Sequence, residues 1–134
     1  MVFVLIKRLR ECAEITAIDD TRLRELLNPL HDKGDLKLGY SLAHATVKPK
    51  RTTLSHRIKT SSEVYYVLKG TGLMHIGDET AEVGAGDAVY IPPGSVQYIE
   101  NTGKEDLAFL CIVCPSWRTE DEEVVQVTAK QYRR

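Results

Sequence analysis

This sequence contains no apolar run of the roughly 18 to 20 residues that a bilayer-spanning helix needs. Its N-terminal VFVLI passes directly into KRLRE instead of a small-residue cleavage site. A soluble, cytoplasmic protein without membrane contact is the expectation. An excess of either charge is also missing: 18 Lys and Arg stand against 19 Asp and Glu, for a formal net charge of -1 with the signs interspersed. No nucleic-acid partner is expected, because a phosphate backbone calls for a basic stripe. Cysteine is scarce, and three residues, an odd number, do not make a secreted disulfide framework. Repeats of solenoid period and low-complexity linkers are absent. The 134 residues suffice for one domain with a real core and are too few for two ordinary ones.

What is present is mostly strand. From Leu36 onward the chain alternates apolar segments with turn-forming ones, the pattern of an all-β sandwich or barrel. The expected strands are LGYSLAHATV, TTLSHRI, EVYYVLKG, GLMHIG, TAEV, DAVYIP, VQYIEN and LAFLCIVC, separated by segments such as KGTG, GAGD and PPGS that supply Gly, Pro, Asn or Asp. Upstream, VFVLI reads as a short strand. DDTRLRELLNP reads as a short helix, with Asp or Thr as its cap, Leu23, Leu26 and Leu27 on one face, and Asn28-Pro29 as its stop.

Two strands have no polar face. EVYYVLKG alternates Glu63, Tyr65 and Val67 with Val64, Tyr66 and Leu68, and LAFLCIVC is apolar throughout. A free-standing antiparallel sandwich would show one wet face, so a homodimer is predicted, with a second subunit covering the sheet. Cys111 and Cys114 form a CxxC, but a three-residue offset on a strand points them to opposite faces. A zinc knuckle is therefore not expected, and Cys114 is read as a buried small hydrophobe. After Pro115, TEDEE reads as a solvated loop or short helical turn, and KQYRR as frayed or edge-paired.

The chemistry concentrates in two segments. HRIKTSSEVYYVLKG places His56, Glu63 and Gly70 at the spacing of the first cupin motif, G-x5-H-x-H-x3,4-E-x6-G. GDAVYIPPGSVQYIEN places Gly86, Pro92, Gly94 and Asn101 at the spacing of the second, G-x5-P-x-G-x2-H-x3-N, with Gln97 in the histidine position. The sequence thus resembles a small single-domain cupin. That resemblance implies a double-stranded β-helix, or jelly roll, over residues 36–115. Residues 1–35, with the strand and short helix, would pack on the barrel or a partner subunit, and residues 116–134 would form a C-terminal extension.

Independently of the family, a glutamate on an otherwise apolar strand must be paired or bind something. His56, Glu63 and Gln97 would converge inside a small barrel, where such folds keep their ligands. Metal-binding cupins usually present three histidines and one glutamate. Here Ile58 and Gln97 replace two of the histidines. His56, Glu63 and Gln97 remain as candidate ligands for iron, manganese, nickel or zinc. His44 and His75 lie on strands and could line the pocket, whereas His31 reads as surface. Tyr65 shares the face of Glu63. By the resemblance, Cys111 and Trp117 on and after the last strand could touch a ligand.

Three readings follow: a small polar ligand, such as a sugar or carboxylic acid, bound in the barrel with or without a divalent metal; a metal-dependent isomerase, lyase or dioxygenase; and a metal-free isomerase using Glu63 or His56 for proton transfer.

Overall fold

The structure, a computed structural model, describes residues 4–125. Among the described residues eleven strands run in the order β1 (Glu14–Thr16), β2 (Arg22–Leu27), β3 (Ser41–Val47), β4 (His56–Ile58), β5 (Ser62–Lys69), β6 (Thr71–Ile76), β7 (Glu79–Gly84), β8 (Ala88–Ile91), β9 (Gln97–Asn101), β10 (Leu107–Cys114) and β11 (Glu122–Val124). They form two antiparallel sheets, of order β1-β2-β3-β10-β5-β8 and β11-β4-β9-β6-β7. This is the jelly roll expected from the motifs, and all eight expected strands are present. Among the described residues no helix is long and apolar enough to cross a membrane.

The expected N-terminal helix is instead strand β2, paired with β3 through Arg22↔Thr46, Leu23↔Ala45 and Arg24↔His44. A bulge between Glu25 and Leu27 adds one residue to the alternation. The leucine spacing therefore imitates a helical period. The capping signal has a local explanation as well. Asp19 Oδ1 accepts the Thr21 N–H at 3.1 Å, and Asp20 has φ 72°, so DDT is a side-chain-closed turn leading into a strand. The only helical pieces among the described residues are single 3-10 turns at Leu9–Glu11 and Thr119–Asp121. Val4, Leu5 and Ile6 form no strand, and the rest of VFVLI lies outside the described residues, as does KQYRR.

Alternation along β5 and β10 sends Tyr65, Val67, Leu107, Phe109 and Cys111 inward, where they pack with Met74, Ile91 and Ile99. The Tyr65 and Phe109 rings meet at 4.4 Å between centroids. Gly70, at φ 87°, makes the tight β5–β6 connection; a Cβ there would stand 2.8 Å from the Asp106 carbonyl oxygen. Cys111 is buried, as its face requires, but Cys114 is exposed, contrary to expectation. It ends the strand on the outer face, just before Pro115. TEDEE is not wholly solvated either, since Asp121 is 3% exposed.

Candidate functional site

One end of the barrel is filled by the core; the other opens into a cavity of about 710 Å³. Its walls come from the segment before β2, from β2 and β3, from the inward faces of β5 and β10, and from Trp117. At the polar end lie His56, Glu63, Asp19 and Glu122. The walls are largely apolar, with Ile15, Ile18, Leu23, Tyr65, Phe109 and Val113 among them.

Alternation on β4 turns both His56 and Ile58 inward, at 2% and 3% exposure. His56 Nδ1 lies 2.9 Å from the Leu54 carbonyl oxygen, which can only accept, so Nδ1 carries a proton. Asp19 Oδ2 stands 3.5 Å from the same nitrogen. Nε2 has no hydrogen bond among the described residues and lies 3.9 Å from Glu122 Oε2. Burial opposes the charged imidazole, but Asp19, the Leu54 carbonyl, Glu122 and Glu63 outweigh it and raise the His56 pKa.

Glu63 and Gln97 reach the same interior from facing sheets. Tyr65 Oη donates to Gln97 Oε1 at 3.0 Å, and Gln97 Nε2 donates to Glu63 Oε1 at 3.0 Å. The chain Tyr65–Gln97–Glu63 fixes both ends of the amide. Burial pushes the Glu63 carboxyl up to about 7; the Gln97 hydrogen bond and His56 resist that rise. Burial, and then the neighbouring Glu63 charge, hold the Tyr65 hydroxyl and the Cys111 thiol well above their ordinary ranges. Burial also raises Glu122, with His56 acting against it.

The cavity thus gathers His56, Glu63, Tyr65, Cys111 and Trp117, with Gln97 directly behind. Trp117 N donates to Ser41 Oγ, and its ring nitrogen lies 3.3 Å from Glu122 Oε1. Two expected residues stand elsewhere. His75 is on the outward face of β6, 2.9 Å from Glu100 Oε1 and stacked on Tyr98 at 4.0 Å. His44 is on the outward face of β3, opposite Arg24 and Leu110. For each, two-residue alternation allowed either face, and the register chose the outer one. His31 is exposed, as read from the sequence, and also borders the cavity edge, against Trp117 and Glu25.

Asp19 and Glu122 were missed. They come from opposite ends of the chain, outside both motifs, and only the closure of the strands brings them to His56. The faint signal was an acidic residue beside apolar ones, IDD and TEDEE.

These residues bear on the metal expected by resemblance. Ile58 offers no donor, and both polar ends of the Gln97 amide are engaged within the protein. Among the described residues no group of three or more His, Cys, Asp and Glu is placed to hold a metal ion. The residues present do not fit the expected metal set, and no chemical step is derived through a metal.

The family described as "Cupin domain" matches residues 43–113. An uncharacterized protein of Methanocaldococcus jannaschii is 43% identical over 108 residues, covering 81% of this chain and 84% of that protein. An oxalate-binding protein of Thermotoga maritima is 31% identical over 84 residues, 63% of this chain and 65% of that protein. The solved structure of the Streptomyces nucleoside dehydratase Pac13 superposes with a TM-score of 0.74 at 18% identity, over 96% of this chain and 97% of that one, a likeness of fold alone.

Proposed function

The chain belongs to the cupin family, and from that premise we propose that it binds a small polar organic molecule in the barrel cavity, with Glu63 and His56 as a proton-transfer pair. The observation that carries this is the buried Glu63 carboxyl at the cavity wall, held near neutrality and oriented by Gln97 and Tyr65. A carboxyl that titrates near pH 7 can take or give a proton at working pH, which ordinary glutamates cannot do efficiently. A deep cavity with apolar walls and a few convergent polar groups has the form of a small-ligand site. The names of the relatives, an oxalate-binding protein and a nucleoside dehydratase, support a small polar ligand as the class.

The test is a thermal-shift screen of sugars, nucleosides and carboxylic acids on chelator-treated protein. A true ligand at about 100 times its Kd should add roughly 2.7 kcal/mol of stability. Chelation is expected to leave both the melting temperature and ligand binding unchanged. Near-stoichiometric metal that is lost in Glu63→Gln, together with loss of ligand binding on chelation, would overturn this reading in favour of a metal site. Turnover that survives the chelator marks an acid/base enzyme; stabilisation without turnover marks a binding module.

The protein is further proposed to act as a homodimer in the cytoplasm. The outward face of the six-stranded sheet exposes Tyr66, Leu68 and Tyr90 beside half-buried Val64, Leu110 and Ile112. Contiguous apolar surface of this kind favours a partner. Analytical ultracentrifugation should show a dimer that Tyr66→Lys combined with Tyr90→Lys converts to a monomer; a monomeric wild type would contradict the proposal.

A further inference from the structure

The cavity meets solvent along one segment of chain. Of the described residues lining it, the exposed ones are His31, Thr119 and members of the stretch 7–18, which carries β1. No side chain in residues 4–18 is buried, and all but Cys12 and Ala17 are exposed. Apolar packing therefore does little to hold this strap, and segments with few buried contacts open at a small fraction of the global unfolding cost. Its fastenings are polar instead. Lys7 pairs with Asp32, and Arg24 on β2 donates from Nη1 to the Leu9 and Cys12 carbonyl oxygens at 3.2 and 2.8 Å. Glu14 lies between Arg22 and Arg24, at 3.1 and 3.6 Å. The groups it fastens to are better anchored. Asp32 Oδ2 accepts the Asn28 N–H at 2.9 Å, and the fully buried Asn28 donates to the Trp117 carbonyl at 3.0 Å. The far end of the strap is fixed as well, since buried Asp19 accepts the Leu54 N–H at 2.8 Å through its carbonyl.

On the reading that this cavity is a ligand site, we propose that residues 7–18 are its gate, a strap that swings on the turn at residues 17–21 and is latched shut by Lys7 on Asp32 and by Arg24 on the Leu9 and Cys12 carbonyls. The turn suits a hinge: Asp20 has φ 72°, and Asp19 beyond it stays fixed to Leu54. Opening parts the three pairs of the β1–β2 ladder, Glu14↔Arg24 to Thr16↔Arg22, and leaves β2 on β3. Ile15 and Ile18 line the cavity yet are 53% and 50% exposed. The apolar part of a ligand gives them the cover they lack when the strap shuts. Occupancy thus favours the shut form.

Access to Cys111, which is buried and lines the cavity, reads the gate without any ligand. The probe is N-ethylmaleimide, added to the folded full chain carrying Cys12→Ser and Cys114→Ser so that Cys111 is the one thiol. Amide exchange in β5 and β10 is followed by NMR in the same proteins. Lys7→Met should speed modification of Cys111 about fivefold, the size of one partly exposed ion pair. Arg24→Gln should speed it about tenfold, for the two carbonyl bonds lost. Both should leave exchange in β5 and β10 unchanged. The reagent is neutral, so raising salt from about 0.05 M to about 0.5 M acts on the latch; it should speed modification in the wild-type strap and less so in Lys7→Met. Cys111 modified as fast as exposed Cys114, measured in a chain that retains Cys114 alone, would mean that the cavity stands open and the strap gates nothing. A Cys111 rate unmoved by both variants would place entry elsewhere, and a rate that rises only in step with exchange in β5 and β10 would make global unfolding the route. Each of these three results overturns the gate. None of them bears on the cavity as a ligand site, which the thermal-shift screen tests separately.

Discussion

Replacing Glu63 with glutamine should make the protein more stable at pH 8 and remove its ligand chemistry. The carboxyl is driven by burial to about 7, from an ordinary value of 4.5. Its folded state therefore holds a proton that the unfolded state releases between those values. Stability falls as pH rises through that window and is level above about pH 7, because ionising a buried carboxyl costs the folded form. The gap corresponds to about 3 kcal/mol at its upper bound. His56 adds to the same slope: its pKa is also raised, so its stabilisation is present below its unfolded value and lost as pH rises through the folded one. Glutamine keeps an oxygen to accept from Gln97 Nε2 and carries no charge. A gain of about 2 kcal/mol at pH 8 is expected, or several degrees in melting temperature for a domain of this size. On the proposed role of Glu63 in proton transfer, any turnover should fall about a hundredfold or more. Denaturant titration at pH 5 and pH 8 checks the first part. A variant less stable than wild type at pH 8, or with the same decline between the two values, would show that Glu63 is not the strained group.

That trade of stability against chemistry sits at a position the sequence made plain, and the contrast with its neighbours is instructive. Glu63 was legible because it interrupts an apolar strand and because its spacing to His56, Gly70 and Gln97 is local or motif-bound. The strands of the barrel were legible for the same reason: period-two alternation and turn residues are nearest-neighbour signals. The β2 segment was not, since one bulged residue shifts the alternation enough to place three leucines at helical spacing. Nor were Asp19 and Glu122. Their importance lies in a distance to His56 that depends on closing both ends of the chain over the barrel, and nothing within ten residues of either encodes that closure. His44 and His75 failed on the remaining ambiguity, the choice of face, which cross-strand register alone decides. Ile58 is now explained in place rather than in function: it is a buried residue two positions from His56, on the face where the resemblance led one to expect a donor.

Asp121→Ala should be the most damaging single change outside the core, although the residue lies in a segment that reads as acidic surface. Its Oδ1 accepts the Thr60 N–H at 3.0 Å and the Thr60 hydroxyl at 2.7 Å, and its Oδ2 accepts the Ser61 N–H at 3.1 Å. The Asp121 carbonyl also accepts the Lys59 N–H at 2.7 Å. One side chain thereby fastens the turn between β4 and β5 to the segment that carries Trp117 and Glu122. Charge-assisted bonds of this kind are worth more than neutral ones, and truncation leaves the donor on buried Ser61 unsatisfied. A loss of about 3 kcal/mol is expected, with a fall in melting temperature of about ten degrees. Asp121→Asn, which retains one oxygen acceptor, should lose roughly half as much. Burial alone would raise this carboxyl, but the Thr60 and Ser61 hydrogen bonds and Arg118 outweigh it and hold its pKa low. Its contribution is thus present above the ordinary aspartate value and lost as pH falls through the folded one, the reverse of Glu63. The two carboxylates lie at the ends of one short path, Asp121 to Ser61 to β5, yet they bias stability in opposite directions along the pH scale. A wild-type stability profile with its maximum on the acid side of neutrality, its decline above that maximum flattened by Glu63→Gln, and its rise from acid pH flattened by Asp121→Ala with the loss felt above the ordinary aspartate value, is the joint signature. Equal loss from Asp121→Ala and Asp121→Asn, or no change in either limb, would mean that the turn is held by something other than this carboxylate.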